Sequence, residues 1–240
     1  MAATRHDSRC SAVGFTPWWK TVPIFAAWLL VICCGAIAAG VPLNLAALGL
    51  TLTSSMEAKS IEYQLKAAFL YNFIKFVDWP EPSSAAGAEE AKKKDPIVLC
   101  VLGEDFFGRH LDDLTKKTVR DRQIRVVRLE GFEQYKKSRS RATLEQYFQE
   151  QRKALEGCHL LFISQSEEKP MNELAAFTDK MQILTVSDIS GFAGKGGVIE
   201  FVMEENKIRF DINVVSAERK GLKISSQLLQ LARKIYKKTP

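Results

Sequence analysis

His110 and His159 are the histidines of the 240-residue chain that lie beyond its apolar N-terminal stretch, and they are the first residues to test for chemistry. A metal site or an acid–base pair needs partners at defined spacing. Neither histidine has a second one within a helical turn, and no HExxH, CxxC, GxSxG or phosphate-loop pattern occurs. Both therefore read as structural or solvent-exposed. The run Gly191-x-x-Gly194-x-Gly196-Gly197 has the glycine density of a phosphate loop, but it precedes a strand-like segment. A phosphate loop needs the helix N-terminus that follows it. The expectation is a protein with no catalytic residue, metal site or cofactor.

Two polar clusters point to binding instead. Ser164 and Ser166 follow one apolar run, and Ser187 and Asp188 follow another. If those runs are parallel strands, the four residues stand at the carboxyl edge of the sheet. Open α/β sheets bind ligands there, where strand order reverses. The competing reading has Ser166 and Asp188 capping the segments that follow. Arg209, Asp211 and Asn213 alternate with Ile208, Phe210 and Ile212, so they share one sheet face. They suit a polar network, a partner-binding surface or plain solvent exposure.

The elements that must position these residues are legible in the apolar pattern. Ile61, Leu65, Phe69, Phe73 and Phe76 predict a helix over 59–77 that Trp79-Pro80 ends. Pro82–Asp95 is a polar linker. Ile97–Leu102 and Cys158–Ile163 are continuous apolar runs of strand length, as expected for strands covered on both faces. Ile124–Leu129 and Gln182–Val186 are further strands. A short helix falls at about 105–116, a long helix or helical pair over 131–156, and a helix over 171–180 behind Pro170. Val198–Val202 and Ile208–Ile212 flank Glu204–Lys207 as an antiparallel hairpin. A terminal amphipathic helix from Ser216 or Leu222 to Tyr236 would bury Leu228, Leu231, Ala232 and Ile235. The fold class is thus α/β: a mostly parallel sheet with flanking helices, a C-terminal antiparallel hairpin and a terminal amphipathic helix.

Composition limits the partners. The net charge is +6, and after residues 1–56 are set aside, 31 basic residues face 27 acidic ones. Apart from Lys136–Arg141 and Arg233–Lys238 they are interspersed, which is no nucleic-acid footprint. Thr21–Leu43 carries no charge, follows a positive leader and contains Ala36-x-Ala38, the three parts of a secretory signal. It is also long enough to span a bilayer, so residues 1–56 read as a signal peptide, or an N-terminal membrane anchor, plus a spacer, and 57–240 as the exported domain. Export leaves Cys100 and Cys158 in an oxidising compartment, where they are either a disulfide pair or two buried thiols.

Several blocks resemble the YfiR-like family. They are Glu62-Tyr-Gln-Leu-Lys-Ala-Ala-Phe-Leu-Tyr-Asn-Phe-Ile-Lys-Phe-Val-Asp-Trp-Pro80, Cys100–Gly108, Cys158–Ser164, Leu184–Asp188, Gly196–Phe201, Ile208–Asn213 and Gly221–Leu229. They occur in order over most of 60–235. The resemblance implies a periplasmic, non-enzymatic α/β repressor, often a homodimer, that binds an inner-membrane diguanylate cyclase or sensor and keeps it inactive in c-di-GMP signalling. An outer-membrane, peptidoglycan-linked lipoprotein would draw it away. The resemblance also implies a Cys100–Cys158 disulfide. The family's second cysteine pair has no counterpart here, and 131–156 is longer than the usual connection. A periplasmic small-molecule sensor or solute-binding module is the alternative that the residues at the sheet edge suggest.

Overall fold

The computed structural model describes residues 45–80, 95–139 and 141–237, with side chains from Met56 onward. The leader at Thr21–Leu43 and most of the 82–95 linker lie outside the described residues. The chain divides into two units, Met1–Leu52 and Thr53–Pro240. Of the first, only the helical stretch Leu45–Leu52 is described. No helix among the described residues is long and apolar enough to cross a membrane.

Helix α1 (Leu45–Phe76) leads directly into a two-residue strand, β1 (Val77–Asp78). The central sheet starts with β2 (Ile97–Leu102), followed by helix α2 (Arg109–Asp112), the hairpin strands β3 (Thr118–Val119) and β4 (Arg122–Leu129), and the helical pair α3 (Phe132–Ser138) and α4 (Leu144–Glu156). Next come β5 (Leu160–Ile163), α5 (Met171–Thr178), β6 (Leu184–Ser187), and the hairpin β7 (Ile199–Glu204) and β8 (Lys207–Asn213). The chain closes through α6 (Val214–Arg219), β9 (Lys223–Ile224), α7 (Ser226–Leu231) and β10 (Lys234–Tyr236).

The eight-stranded sheet has the order β10-β8-β7-β6-β5-β2-β4-β3. All pairings from β4 through β2, β5 and β6 to β7 are parallel, and β7–β8 is antiparallel. This is the expected α/β architecture. Every residue of β2 and β5 is buried, as their unbroken apolar runs predicted, and so is every residue of β6, Thr185 and Ser187 included. Alternate residues of the sheet feed two cores. One face, with Leu99, Val101, Leu160 and Phe162, packs on α1; the other, with Cys100, Leu102, Leu161 and Ile163, packs on Tyr135, Tyr147 and Leu174 of α3, α4 and α5. Helix α1 is pinned by aromatic contacts: the Phe73 ring lies 5.6 Å from Phe201 and 5.1 Å from Phe210.

Two sequence expectations differ from the structure. The buried stripe of α1 is Tyr63, Lys66, Ala67, Leu70, Phe73 and Ile74, whereas Ile61 and Leu65 are exposed. Strict four-residue steps drift about 40° each on a helix of 3.6 residues per turn, so Ile61 stands about 120° away from Phe73. The terminal amphipathic helix is also broken. It becomes α6, β9, α7 and β10; Leu231 is exposed, and Ala232 is already extended. The backbone N–H of Arg233 donates to Phe210 O, and Lys234–Tyr236 then pairs in parallel with Asp211–Asn213. Sheet hydrogen bonds override helical spacing because β8 would otherwise be left with an open edge.

Candidate functional site

Strand order reverses between β2, whose chain continues toward β4, and β5, whose chain continues toward β6. The crevice at their carboxyl ends is where a ligand is expected. Ser164 and Ser166 are indeed there. Ser164 caps a single 3₁₀ turn, Gln165–Glu167, and Ser166 Oγ accepts the Glu104 N–H at 3.0 Å and donates to Glu167 Oε1 at 3.1 Å. Glu167 fills the crevice. Its Oε2 accepts the Phe132 N–H at 2.8 Å, capping α3. Gly103, directly after β2, and Gly131, two residues after β4, make room for it: a Cβ on Gly131 would stand 2.2 Å from Glu167 Oε1, and one on Gly103 2.4 Å from Ser166 Oγ. Burial raises the Glu167 carboxyl above its ordinary range, against the lowering effect of the hydrogen bonds from Phe132 and Ser166. The chain's own carboxylate thus occupies the reversal point.

The next edge position is open. Ser187 is engaged internally, donating to Ile163 O at 2.7 Å and accepting from Ile189 N at 3.0 Å. Asp188 is not a helix cap. Its Oδ2 accepts from Tyr63 Oη and from Lys66 Nζ, both at 2.7 Å, and Lys66 Nζ also reaches Glu62 Oε1 at 2.6 Å. Lys66 and Asp188 side chains are each 6% exposed, so this is a buried ion pair joining α1 to the end of β6. Burial, and then Asp188, push the Tyr63 phenol well above its ordinary range. Asp188 Oδ1 is buried with no hydrogen-bond partner among the described residues. A cleft of about 190 Å³ opens here, with Glu62, Lys66, Gln165 and Asp188 as its polar side and Phe201, Val202, Met203 and Ile208 as its apolar wall.

The alternating residues of β8 separate. Arg209 is exposed. Asp211 is buried and takes both arms of the Arg233 guanidinium, at 2.8 and 2.6 Å; the hydrogen bonds to Asp211 hold that guanidinium above its ordinary range. Asn213 is buried, donates to Ala193 O at 2.7 Å and accepts from Ser216 N at 2.9 Å as the cap of α6. Asp211 and Asn213 hold the C-terminal elements on the sheet.

Cys100 of β2 and Cys158, just before β5, form a disulfide with Cα atoms 6.1 Å apart. The neighbouring His159 is held as a structural ring: Val98 N donates to Nδ1 at 3.2 Å, and Arg122 Nη2 lies 2.9 Å from Nε2. Burial and then Arg122 depress it to about 4. His110 lies on the surface, 3.3 Å from Ser60 Oγ. Among the described residues no His, Cys, Asp and Glu cluster could hold a metal ion.

The family model for YfiR/HmsC-like proteins matches residues 63–233, from Tyr63 of the ion-pair cluster to Arg233 of the Asp211 clamp. The chain belongs to the YfiR/HmsC-like family. Members of the YfiR/HmsC-like family are periplasmic regulators, and the Cys100–Cys158 bridge fits that compartment. Comparison with curated proteins gives no match. Among solved structures, a conserved domain protein from Vibrio cholerae O1 biovar eltor is 10% identical, with a TM-score of 0.42 over 57% of this chain and 54% of that one. An ABC domain in complex with L-Trp from Streptococcus pneumonia is 7% identical, with a TM-score of 0.41 over 58% and 55%. The chain spans about half the length of either.

Within this YfiR/HmsC-like domain, three residues of the sheet edge escaped the sequence reading. Tyr63 and Lys66 sit inside a helix whose apolar stripe was placed elsewhere, and Glu167 reads as an ordinary surface acid. A usable signal was present for Glu167: glycines stand immediately after β2 and two residues beyond the end of β4, where a close approach is needed.

Proposed function

We propose that this chain is a non-enzymatic periplasmic repressor that binds an inner-membrane diguanylate cyclase and holds it inactive. Family membership over 63–233 carries the reading. The state of the sheet edge supports it, since Ser164, Ser166, Ser187 and Glu167 are engaged in internal hydrogen bonds rather than arrayed around a reacting group. The exposed Ile61 and Leu65 on α1 and the exposed Arg209 on β8 are surface positions that suit protein contact. A homodimer and release by an outer-membrane, peptidoglycan-linked lipoprotein belong to the same proposal. The test is titration of the purified chain into membranes containing the co-purifying cyclase while c-di-GMP production is followed. Production should fall saturably, and an Ile61→Asp/Leu65→Asp variant should relieve the inhibition. A cyclase rate indifferent to the added protein would overturn the proposal.

A small-molecule sensor is the second reading. One observation favours it, the unpartnered buried oxygen of Asp188 beside an open cleft.

A further inference from the structure

We infer that the cleft between α1 and the carboxyl ends of β5, β6 and β7 is a binding site for an organic cation, an amine or guanidinium on a short apolar stem, with Asp188 as its anchor. The inference deepens the sensor reading and stands whether or not the chain represses a cyclase. Asp188 carries it. A buried carboxylate oxygen without a donor is costly, and native structures rarely leave one so. Oδ2 is served by Tyr63 and Lys66, whereas Oδ1 has no donor among the described residues.

The charge balance selects the sign of the guest. Glu62 and Asp188 both face Lys66 Nζ, so two carboxylates share one ammonium. An anion would meet a lysine already neutralised and a surplus of negative charge, while a cation would supply the missing donor and balance the second carboxylate. Phe201, Met203 and Ile208 supply the opposite wall, which suits methylene groups rather than a fully polar ion. The volume of about 190 Å³ is below the roughly 300–1,000 Å³ of drug-sized pockets, leaving room for one small amine or one side chain. Arginine or lysine of a bound protein and a free alkylamine present the same chemistry to this cleft.

Isothermal titration of the full chain with agmatine, with a blocked Ala-Arg-Ala tripeptide and with acetate tests the site and separates the sources. At least one cation should bind saturably, and acetate should not. Asp188→Asn should weaken binding at least tenfold. Because Asp188 is also half of an ion pair, Met203→Lys is the second variant: Met203 is 51% exposed, so the change places a positive charge in the cleft wall without disturbing the core. It should likewise weaken binding at least tenfold. Binding of agmatine supports a free amine as the guest, and binding of the tripeptide alone supports a partner's side chain. Failure of both cations to bind, or binding undiminished in the folded Met203→Lys variant, would overturn the inference.

Discussion

His159 should make the domain acid-sensitive in a narrow and calculable window. In the fold Nδ1 accepts the Val98 N–H and the Arg122 guanidinium lies against Nε2, so protonation would turn the accepting nitrogen into a donor facing a donor and set a positive ring beside a cation. Burial, and then the charge of Arg122, take the ring from 6.5 to about 4. Between these values the unfolded chain binds a proton that the folded chain refuses, so stability is complete above 6.5, declines as the pH falls toward 4 and levels off below it. At about 1.36 kcal/mol per tenfold change in proton affinity, the full difference is about 3.4 kcal/mol. The ring keeps some contact with solvent, which lowers the expected loss to about 1–3 kcal/mol. Urea unfolding of the wild type and of His159→Asn, at about pH 7.5 and about pH 4.5, isolates this contribution, because carboxylates titrate alike in both proteins. Asparagine can still accept from Val98 N–H but does not ionise. The wild type should lose about 1–3 kcal/mol more than the variant between the two conditions. Equal losses would show that His159 is not the titrating group and that its two contacts do not exclude a proton.

Two further outcomes follow from the geometry. Replacing both Cys100 and Cys158 by alanine, or reducing the bridge, should cost about 4 kcal/mol, the chain-entropy value for a closed loop spanning a separation of 58 residues; denaturation with and without reductant measures it, and the alanine variant should not respond to reductant. Gly131→Ala should destabilise by about 2 kcal/mol or more, since its Cβ would lie 2.2 Å from Glu167 Oε1 and 2.8 Å from Gly103 Cα; a thermal midpoint unchanged from wild type would show that Glu167 can leave the crevice freely.

Legibility of the sequence followed the range of the interactions. Ile97–Leu102 and Cys158–Ile163 could be read as buried strands because a parallel sheet covered on both sides demands apolar residues at every position. The hairpin was readable because its turn residues, Glu205 and Asn206, are local, and both take positive φ. Lys66 could not be placed in the core from its own neighbours, since its burial depends on Asp188 more than a hundred residues away. The same holds for Ile235. Its helical spacing from Leu228 and Leu231 is real, but the competing partner is β8, and only the fold puts the two side by side. Topology brings Ser164, Ser166, Ser187 and Asp188 to one edge, but the partners that engage them, Glu167 on Ser166 and Tyr63 and Lys66 on Asp188, are residues whose types or positions gave no such signal.

The short sheet formed by β1 and β9 sets an order of events. Val77 pairs with Ile224 and Asp78 with Lys223, while Ser225 N donates to Phe76 O. The end of helix α1 is therefore clasped by residues made well over a hundred positions later. A polypeptide leaves a ribosome, or a translocation pore, with its N-terminus leading. Helix α1 then waits with Phe73 uncovered until Phe201, Phe210 and the β9 strand arrive, and its apolar face is accessible throughout that interval. Maturation of this domain is consequently a closing step: residues 201–225 complete the contacts that helix α1 began, and a chain cut near Leu222 would leave that helix without its lock.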